Sequence, residues 1–502
     1  MSLYKKFPIT LFNTLNRKKE KFEPITEGFV GMYACGPTVY GDPHLGHVRS
    51  AMTYDVIYRY LMHLGYKVRY VRNITDVGHL EDEVLGEGED KIAKKARVEK
   101  LEPMEVVQFY TNRYHHFMDR INILRPSIEP SATGHITEQI EVIEKILESG
   151  LAYQVNGSVY FDLKKYSEDY EYGRLSGKVL EDLMSGSRDT EGLDEKRNPN
   201  DFALWKKAKP EHIMRWPSPW SIGFPGWHLE CTSLSTKYLG EKFDIHGGGM
   251  DLQFPHHEAE IAQSVGYCGH HSVNYWIHNN LLTIKGQKMS KSLGNFITLE
   301  QLFDGSHELL EQAYSPMTLR FFMLQAHYGS PIDFSNEALK AAEKGFNRLM
   351  ASVSTMEGLS YEKGDINEKL DAAINASLDE VYFRMSDDFN TAQALAGLFD
   401  LGSKANAFRH GQLQVGNITE KTFNRLKEVF GRFIKEVLGL EKQGEEPQSS
   451  DILDNVIHLL IEMRTEARAN KDFATSDKIR DKLAKLGVNL KDNKDGTTFE
   501  IG

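Results

Sequence analysis

"YACGPTVYGDPHLGH", residues 33–47, sets a single cysteine, Cys35, nine residues ahead of a His-Leu-Gly-His. Upstream, "GFVGMYACG" has the apolar run of a buried strand; downstream, "HVRSAMTYDVIYRYLMHLG" repeats its apolar residues at helical spacing, and "YKVRYVRNIT" returns to strand. This is the pattern of a βαβ unit and predicts a parallel sheet. The motif falls where the strand gives way to the helix. A helix start offers unpaired backbone N–H groups and a partial positive charge to a phosphate, Gly46 permits close approach, and His44 and His47 neighbour one another across the first turn. A bland alternative exists, since surface or capping histidines produce the same short pattern.

The rest of the chain narrows the classes. It has 502 residues, 40% apolar and 26% charged, so more than one core is expected. No apolar run is long enough to cross a bilayer, and "MSLYKKFPITLFNTLNRKKEKF" has neither the apolar core nor the small-residue site of a signal peptide, so a cytoplasmic protein is expected. Three widely spaced cysteines, Cys35, Cys231 and Cys268, do not make a disulfide framework; reduced thiols or metal ligands are the options. A net charge of -12 argues against a general nucleic-acid coat and leaves room for a local basic face.

Composition shifts along the chain. After about residue 125 the pattern loosens, with "GSVYFDLKKY" strand-like and a proline-rich exit "KPEHIMRWPSPWSIGFPGW", which suits an insertion. "FDIHGGGMDL" resumes the parallel-sheet style, and beyond about residue 315 "TLRFFMLQAHY", "EALKAAEKGFNRLMASV" and "AQALAGLFDLGSKANAF" are amphipathic helices. "LEKQGEEPQSSD", residues 440–451, reads as a linker, followed by an αα-hairpin and a β-hairpin, "VNLKDNKDGTTFEI", turning at Asp495 and Gly496.

A second motif, "KMSKS" at 288–292, places Lys288 and Lys291 where they could neutralise a leaving pyrophosphate, although a lysine pair is also what a solvated loop contains. Together, in this order, the two motifs resemble the signature pair of class I aminoacyl-tRNA synthetases. "CGPTVYGDPHLGH", "NITDV", "DFALWK", "PGWHLEC", "HGGGMDLQFPHHEAEIAQ", "KMSKSLGN" and "DDFNTAQAL" extend the resemblance, over nearly the whole chain, to the cysteinyl-tRNA synthetase family. The resemblance implies an α/β Rossmann-type catalytic domain with an inserted connective peptide, an α-helical bundle and a small α+β C-terminal domain. The expected boundaries are 1–125 and 221–285 for the catalytic halves, 126–220 for the connective peptide and 286–335 for the stem-contact module. The bundle follows at 336–439, a linker at 440–452 and the anticodon-binding domain at 453–502.

The implied activity is ATP-dependent activation of L-cysteine and its transfer to tRNA(Cys), by a monomer, with Mg2+ accompanying ATP. Serine is nearly isosteric with cysteine, and a pocket sensing only size and polarity separates such pairs by about 10²-fold. A zinc ion binds thiolate far better than hydroxyl, which would give the lone thiol its purpose. The resemblance implies one zinc per chain on Cys35, Cys231, His256 and Glu260. Spacing agrees in part, because His256 and Glu260 are i and i+4 on one helix face while Glu258 points elsewhere. It leaves other cages open, since His228 lies three before Cys231 and His257 three before Glu260.

The resemblance further implies His44 and His47 on the α-phosphate, and Gly46, Gly248, Asp251 and Lys291 around ATP. It puts Thr75, Trp227 and His246 in the amino-acid pocket, and Arg468, Phe473, Asp477 and Asp492 on anticodon bases. This chain departs from the family's usual pattern at Phe473 and Phe499, where tryptophan is common, and at Ala259, where asparagine is common. It departs again in the long acidic "GHLEDEVLGEGED" (78–90), whose length suggests a flexible loop at the active-site rim. Two other readings fit parts of the sequence. A ligase joining activated cysteine to a small amine would use the same activation motifs, but has no use for the helical bundle and tail. A non-catalytic tRNA- or zinc-binding relative would not need both signature motifs.

Overall fold

In the computed structural model the strand–helix–strand segment forms Phe29–Ala34 (β1), Leu45–Leu64 (α1) and Lys67–Arg72 (β2), with β1 and β2 paired in parallel from Phe29↔Lys67 to Ala34↔Arg72. Gly65, at φ 99°, ends α1 in the left-handed conformation that a side chain would resist. The second half supplies Trp227–Leu239 (α2), Phe243–Gly249 (β3), Glu258–Cys268 (α3) and Val273–Asn279 (β4). β3 lies between β1 and β4 and is parallel to both, giving the order β4-β3-β1-β2. Ligands of such sheets bind beyond the carboxyl ends of the strands, which here are Ala34, Arg72, Gly249 and Asn279.

The structure describes residues 2–78, 80–82, 87–178, 195–210, 212–290, 293–442, 460–461, 463–468, 472–485, 488–493 and 496–501. Between β2 and α2 is a five-stranded antiparallel sheet in the order Trp216–Pro217, Ile222–Pro225, Ala203–Lys207, Ser158–Phe161, Ala152–Val155. Ile222–Pro225 is hydrogen-bonded into it, so the sheet of the insertion runs past residue 220. Val159, Phe161 and Trp205 of this sheet, with Ile143 and Ile146 of helix Ile136–Glu148, share one core with Ala259 and Ala262 of α3. The insertion thereby holds α3 from outside, and Ala259 packs there.

After β4 a three-stranded sheet, ordered Gln287–Lys288, Leu282–Ile284, Ile332–Phe334, leads into four helices: Asn336–Glu357, Glu368–Ser386, Thr391–Arg409 and Glu420–Arg432. Each begins at a side chain that accepts a backbone N–H: Ser335, Asn367, Asn390 and Thr419. One continuous core runs from Leu45 in α1 through Phe321 to Phe430.

Lys442–Gly502 forms a separate unit. It contains helix Phe473–Lys485 and antiparallel strands Val488–Asn493 and Gly496–Ile501, around Ile461, Leu483 and Val488. The hairpin forms at the expected place; Asp495 lies outside the described residues.

The acidic segment is not a featureless loop. Leu80–Asp82 pairs antiparallel with Glu87–Asp90, and the Asp90 carboxylate accepts from the Gly78 N–H (2.8 Å) while capping the next helix at Ile92 (2.9 Å). His79 lies outside the described residues. Among the described residues no helix is long and apolar enough to cross a membrane.

Candidate active site

Cys35 continues the ladder of β1 by one residue, its N–H donating to the Gly247 carbonyl (3.1 Å), which aims the thiol past the sheet end toward α2 and α3. Its Sγ lies 3.6 Å from Sγ of buried Cys231 on α2. From the turn that leads into α3, His256 Nε2 approaches Cys231 Sγ to 3.5 Å and Glu260 Oε1 to 3.2 Å, and that oxygen is 3.9 Å from Cys35 Sγ. Such separations are the edges of a tetrahedron whose corners sit about 2.0–2.3 Å from a common centre. His257 joins them, with Nε2 3.2 Å from Cys35 Sγ. Cys35, His256, His257 and Glu260 offer ligand atoms all within 4.8 Å of one another. The cluster therefore holds five donors, one more than the resemblance implied. Glu258 turns away, accepting from Ser176 N (2.7 Å) and Gly173 N (3.2 Å) in the insertion.

The two imidazoles and the carboxylate are braced from behind. His256 Nδ1 is 2.8 Å from Nδ1 of His228; His257 Nδ1 is 2.7 Å from Nε2 of His278, whose own Nδ1 meets Thr14 Oγ1 at 3.0 Å. Glu260 Oε2 is 2.6 Å from His246 Nε2. These contacts turn both inner Nε2 atoms and Glu260 Oε1 toward the thiols, as outer-sphere partners do around metal ions. Burial pushes the Cys35 thiol up to about 12, holds Cys231 well above the usual thiol range, raises Glu260, and holds His257 well below the usual histidine range. Dry and mutually crowded, the group suits a divalent cation, whose charge would let the thiols ionise. Two thiols, imidazole and carboxylate are a donor set that zinc fits. The buried Tyr33 hydroxyl and Glu230 Oε2 have no partner among the described residues.

The three expected pocket residues surround this cluster. The Trp227 ring stacks on His256 at 4.3 Å, and His246 stands behind Glu260, its own ring on Trp276 at 4.5 Å. Thr75 hydrogen-bonds Glu230 through its hydroxyl, which also accepts from Asn73 Nδ2 (3.1 Å).

Beyond Cys35 opens a cavity of about 310 Å³, lined at the four strand ends by Ala34, Arg72, Gly249 and Asn279 and reached by His44, His47, Asp251 and Lys288. Cys35 itself lines it, so the thiol cluster adjoins the space of the signature motifs through that residue. His44 caps α1: its Nδ1 accepts from Gly46 N (3.1 Å), and His47 Nδ1 accepts from His44 N (3.3 Å). With both Nδ1 atoms accepting, each neutral ring carries its proton on Nε2, and both histidines present a donor. Their rings lie 3.8 Å apart, and burial lowers His47 to about 4, so it is neutral near pH 7. A Cβ on Gly46 would meet the His44 ring at 3.0 Å, which ties that glycine to the cap.

Lys288 is exposed on a short strand; its carbonyl accepts from Asn295 Nδ2 (3.2 Å), and Asn295 Oδ1 accepts from Ser290 N (2.8 Å). Lys291 lies outside the described residues. Of the glycine run, Gly249 lines the cavity. At Gly248 a Cβ would instead meet Leu252 at 2.7 Å and His257 at 3.1 Å, so its smallness serves packing. In the C-terminal unit Arg468, Phe473 (61% exposed) and Asp477 are exposed, with Asp477 3.1 Å from Arg480. Asp492 sits opposite Thr497 in the hairpin, its side chain outside the described residues.

Comparison with known proteins follows the same division. Residues 21–344 match the class I (C) tRNA synthetase catalytic domain, 380–442 the DALR domain, and 451–499 the cysteinyl-tRNA ligase anticodon binding domain. The cysteine–tRNA ligase of Porphyromonas gingivalis is 56% identical over 98% of this chain and 99% of its own. This chain belongs to the cysteine–tRNA ligase family. Further members are those of Cytophaga hutchinsonii, 54% identical over 97% of this chain and 98% of its own, and Chlorobaculum tepidum, 47% over 97% and 98%. A Mycobacterium tuberculosis methionyl-tRNA synthetase in complex with methionyl-adenylate shares the fold at 14% identity, with a TM-score of 0.56 over 82% of this chain and 92% of that one. A putative Campylobacter jejuni arginyl-tRNA synthetase does so at 14% identity, with a TM-score of 0.54 over 84% and 93%.

Within this cysteine–tRNA ligase site, sequence reasoning passed over Asn73, Glu230 and His278. The alternation of strand β4 puts Trp276 and His278 on one face, and that period of two is the signal that points to His278.

Proposed function

We propose that this chain charges tRNA(Cys) with L-cysteine. The amino-acid carboxylate attacks the α-phosphorus of ATP, pyrophosphate leaves, and the cysteinyl adenylate passes its cysteinyl group to the terminal ribose of the tRNA. The observation that carries the reading is the cavity that Cys35, backed by its buried neighbours, lines together with the His44/His47 pair. The Nε2–H groups of His44 and His47 donate to the α-phosphate oxygens as charge gathers there, each such donor worth about 2.7–4 kcal/mol in comparable sites. Lys288, with Lys291, holds the departing pyrophosphate. Zinc held by Cys35, Cys231, His256 and Glu260 would supply a preference for thiolate over hydroxyl, and Mg2+ would arrive with ATP. Thr75 and Trp227 wall the amino-acid end, and His246 orients Glu260. Asp251 stands at the nucleotide edge, and Arg468, Phe473, Asp477 and Asp492 meet the anticodon. All these groups come from one chain, so a monomer suffices.

Transfer of labelled cysteine to total tRNA, with ATP and magnesium, tests the reading. Charging of one tRNA species, lost on stripping the metal, is expected. Cysteine-dependent ATP/pyrophosphate exchange without charging would contradict the tRNA step and favour a small amine as acceptor.

A further inference from the structure

Arg49 lies on α1 two residues after His47 and is 3% exposed, yet its guanidinium meets no carboxylate among the described residues. It donates to four carbonyls instead: Met323 (3.3 Å) from Nη1, and His327 (2.8 Å), Tyr328 (3.1 Å) and Ser330 (2.9 Å) from Nη2; Nε has no partner. A buried cation without a counter-charge is costly, and burial pulls this one down to about 10. Ordinary packing would be met more cheaply by an apolar residue.

The carbonyls it grips belong to a loop with a definite destination. The Tyr328 carbonyl that receives Arg49 also receives the Asn280 N–H (2.8 Å), and the Gly329 carbonyl receives Asn280 Nδ2 (3.1 Å). Two residues past Ser330 the chain enters strand Ile332–Phe334, which pairs with Leu282–Ile284 through Leu282↔Ile332, and Thr283 of that strand pairs with Lys288. Arg49 thus fixes the near end of the KMSKS segment to the helix that carries the histidines. The far end is fixed separately: Leu299 N donates to the Pro43 carbonyl (2.9 Å), and His44 bridges Thr298.

We propose that Arg49, which also lines the cavity, is a positioning residue for the nucleotide half of the reaction, acting through the strand of Lys288, which it holds in place against the His44/His47 pair. The proposal rests on the function proposed above. A planar fork spreads five donors over three nitrogens in a fixed geometry, whereas the three donors of a lysine ammonium radiate from one atom and do not span the same set of carbonyls. A misplacement of about 1 Å between reacting groups costs about 10²-fold in rate.

The test compares Arg49→Lys with a variant carrying one glycine inserted after the exposed Gly329, which slackens the same loop and leaves Arg49 intact. In both, kcat per titrated active site for cysteine-dependent ATP/pyrophosphate exchange should fall about 10- to 100-fold, with KM for cysteine and metal content unchanged. Binding of Mg-ATP to the resting protein should weaken about tenfold. Exchange per active site equal to the unaltered protein, with only a lower Tm, would overturn the proposal, as would equal losses of cysteine and ATP affinity. Wild-type behaviour of Arg49→Lys would show that charge suffices, and would overturn it too. Should the insertion alone fold, its kcat and KM for ATP decide by the same criteria. Because Mg-ATP binding is read directly, an unaltered chain that exchanges with no cysteine would count against the functional reading, while selective loss of Mg-ATP affinity would still support Arg49.

Discussion

At the thiol end of the cavity the two imidazoles and the carboxylate are buried side chains, each braced by another: His256 by His228, His257 by His278, Glu260 by His246. At the phosphate end the donors rest on backbone features, a capped helix start bearing His44 and His47 and an edge strand with an exposed Lys288. The difference suits the two tasks proposed for the two ends. Telling a thiol from a hydroxyl requires a dry, fixed donor set, because near-isosteres differ in little else. Binding ATP and releasing pyrophosphate requires groups that solvent and product can reach.

Breaking the thiol end should have the largest effect. Cys231→Ser is expected to abolish stoichiometric metal and cysteine-dependent exchange together, checked by metal assay beside exchange. Retained metal with normal exchange would separate Cys231 from the cluster. Lys288→Ala cuts at the other end: exchange should fall about 10²- to 10³-fold with metal content intact. Loss of metal in that variant would contradict the division.

The cavity wall near the phosphate end contains one strong ion pair, which sharpens the contrast with the thiol end. Burial opposes ionisation of Glu129, but hydrogen bonding from His115 and the Arg72 charge outweigh it and hold the carboxyl at about 2, against 4.5 ordinarily. The folded chain therefore releases this proton more readily than the unfolded one. The resulting stabilisation, about 3 kcal/mol, is complete above pH about 4.5 and disappears as pH falls through about 2. Glu129→Gln should lower stability at pH 7 by that order and flatten its decline over the acid range, read by urea unfolding. The smallest effect belongs to the separate unit: Phe473→Ala should raise KM for tRNA about tenfold while leaving exchange unchanged. Altered exchange there would couple the two units.

Much of this is legible in the sequence, for local reasons. The His-x-Gly-His lies where periodicity changes from strand to helix, and the capping contacts of His44 and His47 are made within the first turn. The i, i+4 spacing brought His256 and Glu260 together. His257 was one of several open choices, because α3 is preceded by a wider π-type turn, Gln253–His257, interrupted by non-helical Phe254. There two adjacent histidines both reach the thiols, which regular helical spacing would not allow. Gly248 was assigned to the nucleotide from its place in a glycine run, while its neighbours are Leu252 and His257. The pairing of Leu80–Asp82 with Glu87–Asp90 was hidden by an acidic composition that reads as loop. Arg49 was invisible as a functional residue because its partners lie nearly 300 residues away in sequence and are backbone carbonyls, which carry no residue signature.

The central claim is that the buried thiol cluster, rather than pocket size, selects cysteine. The most direct measurement is the ratio of cysteine- to serine-dependent ATP/pyrophosphate exchange, taken on metal-replete protein and again after stripping and reconstitution with zinc. The account predicts a ratio far above about 10² when replete, collapsing on stripping and restored by zinc. A ratio that stays high without metal would contradict it.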